Sequence, residues 1–271
     1  MPAPDLPLLR RIDGYLDAVP RSAVRVEAIG PFTLFLNEGH GWRYYARPTP
    51  GAKGFTVDDV RAVRERQRAL SQPEAIEWIA ELAPDVGEAV ARDRMRVVIH
   101  PVMVLTPGDF TPQEPLESAT VTIVEPDDDL TAVNAVAEVA FHNPGTAVGA
   151  AGAADALDAA RTQNADTLAF QRRRMLAGLT VTTAAHLGGV IAAVGSHQPL
   201  DGTTEIVGVA TLPAFRRRGL GAAVTGALVA DAIERGVETI CLSADDDDVA
   251  RVYARLGFRR VGTAGAAAPE A

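Results

Sequence analysis

With 271 residues, 47% of them hydrophobic and 23% charged, and a mean hydropathy of +0.06, the chain has the composition of a soluble globular protein of one or two domains, too apolar for extended disorder. A net charge of −9 and a pI near 5.1 disfavour nucleic-acid backbones and anionic membranes as partners and suit basic ligands. The one cysteine, Cys241, excludes an intrachain disulfide framework and a multi-cysteine metal site, and the one lysine, Lys53, in a Pro/Gly-rich loop, disfavours Schiff-base chemistry.

The N-terminal MPAPDLPLLRRIDGYL has neither the apolar core of a secretion signal nor a membrane span, and no stretch reaches about 18 uninterrupted apolar residues. A cytoplasmic protein with no membrane partner is expected. Val24 to Leu36 and Trp42 to Arg47 have the β-branched and aromatic content of strands, with Asn37 to Gly41 as the turn between them. Val57 to Leu70 and Ala75 to Ala83 have helical spacing, and Pro84 to Ala91 continues the second after a break. Arg96 to Leu105 reads as a strand. The three prolines of TPGDFTPQEPLES, residues 106–118, mark a boundary between domains at 1–118 and 119–271.

The second part is more regular. Val121 to Val124 is a strand, and Pro126 to Asp129 is a helix-start signal before Leu130 to Phe141. The Ala-rich residues 147–177 form one or two helices. Thr180 to His186, Val190 to His197 and Glu205 to Thr211 suit a meander of strands. Leu220 to Arg235 is a helix stopped by Gly236, Glu238 to Ser243 a strand, Asp247 to Leu256 a helix stopped by Gly257, and Phe258 to Val261 a last strand. The order β α α β β β α β α β predicts an α+β fold on a mixed sheet.

The most informative stretch is EIVGVATLPAFRRRGLGAA, which begins at Glu205 and carries a strand through Pro213 into an Arg/Gly-rich turn that opens a helix. Gly219 and Gly221 allow close backbone approach to a ligand, and successive amides backed by a helix N-terminus make a nest for phosphate oxygens. Arg216, Arg217 and Arg218 add charge. The same residues would also serve a glycine-bearing helix start with exposed arginines. A P-loop signature is absent, and G-x-G-x-x-G fails at Val224.

This segment closely resembles the acyl-CoA motif [RQ]-x-x-G-x-[GA] of the GNAT superfamily, the Gcn5-related N-acetyltransferases, in Arg216-Arg217-Arg218-Gly219-Leu220-Gly221. The element order, the proline three residues before the first arginine and Tyr253-Ala254-Arg255-Leu256-Gly257-Phe258 as the family's Y-x-x-x-G-F ending agree with it. The likeness covers 119–271 and implies the GNAT acyl-CoA N-acyltransferase fold there. Residues 1–118, through PEAIEWIAELAPDVGEAVARDRMRVVIHPVMVL, resemble the N-terminal portions of bacterial tandem GNAT proteins whose repeat has lost its coenzyme loop. A smaller, degenerate GNAT-like domain is therefore expected.

The resemblance further implies acetyl-CoA as co-substrate. Its pantetheine would pair with the backbone of Val209, Ala210 and Thr211, and its pyrophosphate would sit on the amides of Arg217 through Ala222, Leu220 included. Glu205, eleven residues before Arg216, stands where relatives resembling histone acetyltransferases keep a catalytic base; it also reads as a strand-end glutamate in solvent. Tyr253 stands where many relatives protonate the departing thiolate; Val249, Val252, Tyr253 and Leu256 equally follow helical packing spacing. Asp247 occupies the place of an asparagine that contacts pantetheine, and an aspartate accepts but does not donate. The Asp245 to Asp248 run suits a helix N-terminus rather than a metal. The histidines lack a motif, and Arg172 to Arg174 read as a solvated helix face. The expected activity is acetyl transfer to a small-molecule primary amine by direct attack. The alternatives are a non-catalytic acyl-CoA-binding regulatory module and an aminoacyl-tRNA-dependent acyl transferase, and a homodimer is left open.

Overall fold

A computed structural model describes residues 4–37, 45–114 and 116–270. The chain divides into two compact units, neither contiguous in sequence: Met1–Met103 with Ser243–Ala250 and Arg260–Ala271, and Val104–Leu242 with Arg251–Arg259.

The first unit opens with a helix that the periodicity reading passed over, α1 (Leu6–Arg21). Asp5 caps it by accepting from the Leu8 amide at 3.2 Å, and Leu9, Ile12, Tyr15 and Val19 make its buried stripe. The single strand expected over 24–36 is a hairpin, β1 (Arg25–Ile29) and β2 (Phe32–Leu36), because Gly30 at φ +54° turns the chain and sets Ile29 opposite Phe32. Then come β3 (Ala46–Pro48) and α2 (Val57–Ala69); the expected turn residues 38–41 and Trp42 to Tyr44 lie outside the described residues.

Residues 75–83, expected to be helical, instead contain β4 (Ile76–Ile79), and Pro84 opens the separate helix α3 (Pro84–Arg92). The sheet overrides the spacing: Ile76, Trp78 and Ile79 are buried, and the strand pairs along Ala264 to Ala267. Met95–Leu105 is β5. The last strand, β11 (Arg259–Pro269), reaches well past Val261. Its Gly/Ala run is a poor strand by propensity, but Gly265 stands opposite Trp78, and a Cβ there would lie 2.3 Å from the indole. The missing side chain is the space the ring fills. Strand order in this unit is β1-β2-β3-β4-β11-β5, over a core of Phe32, Leu34, Val60, Val63, Trp78, Val86 and Val90.

The second unit follows the sequence reading closely. It holds β6 (Ala119–Ile123), α4 (Leu130–His142), α5 (Ala153–Ala160), α6 (Ala165–Leu176), β7 (Val181–Leu187), β8 (Val190–His197), β9 (Thr203–Thr211), α7 (Leu220–Glu234) and β10 (Thr239–Ser243). Helix α8 (Asp247–Ala254) comes after β10. Strand order is β10-β9-β8-β7-β6; β6 through β9 are an antiparallel meander and β9–β10 a parallel pair joined through α7. Val194 packs in the cluster with Val133 and Val136 of α4, whereas a Cβ on its neighbour Gly195 would meet Val224 and Leu228 of α7. Successive strand residues point to opposite faces, so α4 and α7 cover the two sides of this sheet.

A buried polar chain pins α7 to the sheet. His197, fully buried, sits with Nδ1 2.9 Å from Thr204 Oγ1 and Nε2 2.8 Å from Asp231 Oδ2, and Arg235 Nε donates to the same carboxylate oxygen at 2.5 Å. Burial holds the imidazole below its usual pKa of 6.5, against the raising effect of Asp231. Burial raises the Asp231 carboxyl, but its bonds to Arg235 and His197 outweigh this and hold it below the usual value. A neutral imidazole therefore donates from Nε2 to the carboxylate and accepts the Thr204 hydroxyl at Nδ1. The unfolded chain takes up a proton that folded His197 refuses, so the stability it contributes above its ordinary pKa is lost as pH falls below it. Denaturant midpoints of the wild type are expected to fall between pH 7.5 and 5.5 more steeply than those of His197→Gln. That variant is less stable by about 1–3 kcal/mol at pH 7.5. Parallel pH curves for the two proteins would remove the assignment.

Candidate acyl-transfer site

Strand β9 is interrupted at its centre. Its register against β8 runs His197↔Ile206 and Ser196↔Val207, then resumes at Val194↔Ala210, so Gly208 and Val209 together oppose the single residue Gly195. This is a β-bulge, and Gly208 at φ +63° is the residue that permits it. Against β10 the parallel register covers Thr203↔Thr239 to Glu205↔Cys241. Val207, Gly208 and Val209 are only half-buried although they lie in an inner strand. A bulge re-aims the peptide groups of one strand, which is how a sheet interior comes to offer backbone donors and acceptors to something other than a neighbouring strand.

The strand leads into the Arg/Gly turn that opens α7. Leu212 and Pro213 are buried, and a short turn at Pro213–Phe215 brings the chain to Arg216. Arg217 has φ +64°, unusual for a residue with a side chain, and Gly219 follows in the left-handed region at φ +79°, ψ −3°. Gly219 is the N-cap of α7, and no side chain caps that helix start. The first-turn amides therefore lack an intrahelical partner and face outward with the positive end of the helix dipole behind them. Arg217, Arg218 and Gly219 are exposed; Leu220 is buried beneath, and Gly221 and Ala222 are half-buried. A left-handed residue followed by a helical one makes the concave run of N–H groups that binds anions. The three arginines divide their work. Arg218 lies over the Phe215 ring at 5.7 Å, Arg217 is open, and the Arg216 guanidinium is committed to carbonyl oxygens, among them Thr211 at 3.3 Å.

Of the acid–base candidates, Glu205 is half-buried on β9. Alternation puts it on the face opposite Thr204 and Ile206, which lie on the His197 side; its own face is the one that α4 covers farther along the strand. Tyr253 is 9% exposed, and its ring meets Phe258 edge-on at 5.9 Å. Burial pushes the phenol pKa up to about 12, so Tyr253 is a neutral O–H donor across the physiological range. Asp247 opens α8, and its carboxylate is 3.3 Å from Arg260 Nη1. Asp246 accepts from the Val249 amide at 2.8 Å, the helix-start role expected of this acidic run. Among the described residues no group of three or more His, Cys, Asp or Glu side chains is placed to hold a metal ion, and no helix is long and apolar enough to cross a membrane.

Residues 154–258 match the model of the Acetyltransferase (GNAT) family. The chain carries a GNAT-family domain. Glu205, the 209–211 backbone, the 216–222 loop, Asp247 and Tyr253 all fall within the matched span, and acyl transfer is the chemistry with which that family is consistent. Solved structures extend the likeness to the fold of nearly the whole chain. The chain is similar to a GCN5-related N-acetyltransferase from Kribbella flavida at 24% identity and a TM-score of 0.72, over 97% of this chain and 96% of that one. A GCN5-related N-acetyltransferase-like protein from Streptococcus suis is 13% identical, with a TM-score of 0.57 over 97% and 98% of the two chains. A tandem GNAT protein from the clavulanic acid biosynthesis pathway is 16% identical, with a TM-score of 0.53 over 89% and 79%. No curated protein matches the chain.

The GNAT domain contains features that motif reading passed over. The bulge is one, although an isolated glycine inside a strand pattern was its signal at Gly208. The Arg172 to Arg174 run is a solvated face only at Arg173, which is exposed: Arg174 is buried with bonds to Thr180 Oγ1 at 3.2 Å and the Leu179 carbonyl at 3.3 Å, and Arg172 reaches the Pro126 carbonyl at 2.5 Å. The His197 chain joins residues 34 apart in sequence, a pairing that no local motif announces.

Proposed function

We propose that this protein is an acetyl-CoA-dependent N-acetyltransferase acting on a small-molecule primary amine by direct attack. The observation that carries the reading is the uncapped helix start behind exposed Arg217–Gly219, with its left-handed Gly219, placed after a bulged strand. The loop suits a pyrophosphate: its helix start has no side-chain cap, and Gly219 holds a left-handed backbone conformation that side chains resist. Acetyl-CoA, when bound, supplies the thioester carbonyl that the amine attacks. Backbone groups of Val209, Ala210 and Thr211 hold the pantetheine arm, and amides beside the Gly208 bulge donate to the carbonyl oxygen as negative charge gathers on it. Glu205 takes the proton from the acceptor ammonium, directly or through a water. Tyr253 donates its phenolic proton to the departing thiolate. On this reading Asp247, already paired with Arg260, contributes acceptance only. Residues 1–118, which have no second R-x-x-G-x-G, are a degenerate GNAT-like partner, and the location is cytoplasmic.

Calorimetric titration with CoA, followed by thiol release from acetyl-CoA across an amine panel, tests the reading. CoA is expected to bind at micromolar to low millimolar concentration, about the usual range for enzyme substrates. Glu205→Gln is expected to lower kcat/KM for the best amine by about 10²-fold without weakening CoA. Absence of CoA binding at millimolar concentration overturns the reading. Binding with no turnover on any amine makes the protein an acyl-CoA-binding module instead.

A further inference from the structure

The Arg216 side chain spans three pieces of the second unit. Its Nε–H donates to the Thr211 carbonyl at 3.3 Å, at the end of β9. One terminal nitrogen donates to the Ala147 carbonyl at 3.2 Å, and the other to the carbonyls of Ala140, at 3.2 Å, and Asn143. Ala140 belongs to the last turn of α4, whose carbonyls run out of helical partners, so a cation is well placed there. The chain from 141 to 150 is exposed at every residue except Thr146. Two backbone bonds run beside the guanidinium: Gly149 N–H to the Pro213 carbonyl at 3.1 Å, and Ala214 N–H to the Ala151 carbonyl at 2.9 Å. Glycines let the strips meet closely, since a Cβ on Gly149 would lie 3.0 Å from that of Pro213, and one on Gly152 3.2 Å from that of Ala214.

We propose that Arg216 is a positioning residue that fastens the exposed 141–151 segment to the coenzyme loop, so that occupancy of the loop and ordering of the segment favour each other. The inference rests on the reading of that loop as the CoA site. A planar fork with five donors can hold carbonyls in three directions at once, which an ammonium cannot. Because its partners are neutral carbonyls, the guanidinium adds positive potential beside Arg217 and Gly219 without touching an anion. Ordering either strip removes freedom that the other would otherwise lose on its own, which is the thermodynamic content of the coupling.

Hydrogen exchange on the full chain, with and without CoA, tests this in the wild type, Arg216→Met and Arg216→Lys. Without CoA, amides 143–152 are expected to exchange about tenfold faster in both variants than in the wild type, the loss of one or two charge-assisted bonds. With CoA, the wild type slows in both 217–222 and 143–152. The variants slow in 217–222 only, and both bind CoA within about threefold of wild type, with Arg216→Met the weaker because it alone removes the through-space charge. If the variants lose CoA by about thirtyfold or more while 143–152 exchanges as before, the guanidinium is a phosphate ligand and the proposal falls. If CoA protects 217–222 of the wild type but leaves 143–152 unchanged, the coupling falls while the coenzyme reading stands. If CoA does not bind the wild type, both fall, and the CoA-free comparison alone then decides the fastening. Arg216→Lys keeps the charge and decides the matter if Arg216→Met does not fold.

Discussion

Gly257→Ala is expected to destabilise the protein by about 3 kcal/mol or more and to disable acyl transfer with it. Gly257 ends the turn after α8 at φ +104°, a conformation that costs an L-residue with a side chain dearly. Space is the larger obstacle: a Cβ there would stand 2.0 Å from the carbonyl oxygen of Asp109 and 2.9 Å from its carbon. Both are backbone atoms of the 106–118 stretch, which cannot swing aside as a flexible side chain would. The turn is also a closing point, since the Phe258 amide donates back to the Tyr253 carbonyl at 3.3 Å and the Thr111 amide to the Leu256 carbonyl at 3.0 Å. Relief of the clash therefore shifts the residues that seat the Tyr253 ring against Phe258. Gly226→Ala is the control. It lies inside α7 with its nearest neighbour, Leu256 Cδ2, at 3.8 Å, and alanine there is expected to be neutral or to add about 0.5 kcal/mol. Urea unfolding of the two variants separates these cases; equal midpoints would mean that the turn relaxes at no cost.

How much of this was legible in the sequence depends on where the governing contacts lie. The order of elements from β6 to α8 could be read because each is fixed by local signals, such as Asp129 before α4, Gly236 after α7 and the repeated β-branched runs of β7 to β9. The R-x-x-G-x-G loop was readable for the same reason: its glycines report backbone shape directly. The first unit was less legible because its contacts are long-range. Ile76 to Ile79 became a strand through pairing with residues almost two hundred positions away, and the Ala/Gly run of β11 became a strand because Trp78 needs the space above Gly265. Arg216 shows the limit at the site itself. The motif singles the residue out, but the targets of its guanidinium 69 to 76 positions upstream are visible only in the fold. Gly208 could have been found, since a glycine inside a strand pattern already suggests a bulge.

Tyr253→Phe is expected to lower kcat by about 10²-fold, in the range of general-acid loss, while leaving the KM for acetyl-CoA within about threefold. The split follows from timing, because a proton donated to the departing sulfur strengthens an interaction that exists only as the bond breaks. The ring itself stays: it is 9% exposed and lies edge-on to Phe258, so removal of the hydroxyl costs about 1 kcal/mol or less at pH 7. Titration gives an independent mark of the phenol. Its pKa is pushed up from 10.0 to about 12 by burial, so the unfolded chain loses the proton before the folded one does. The stability that this shift contributes is fully present below pH 10 and disappears as the pH rises toward 12. Wild-type denaturation midpoints should therefore fall over that interval relative to those of Tyr253→Phe, whether or not the residue is an acid. The same pKa keeps the phenol protonated, so no basic limb below about pH 11 in the wild-type rate profile belongs to it. If the alkaline stability difference vanishes in the variant but kcat does not change, Tyr253 is a packing residue and the thiolate takes its proton from elsewhere. If kcat falls and the KM holds, the phenol is the acid, and the buried edge-on ring is what keeps it neutral.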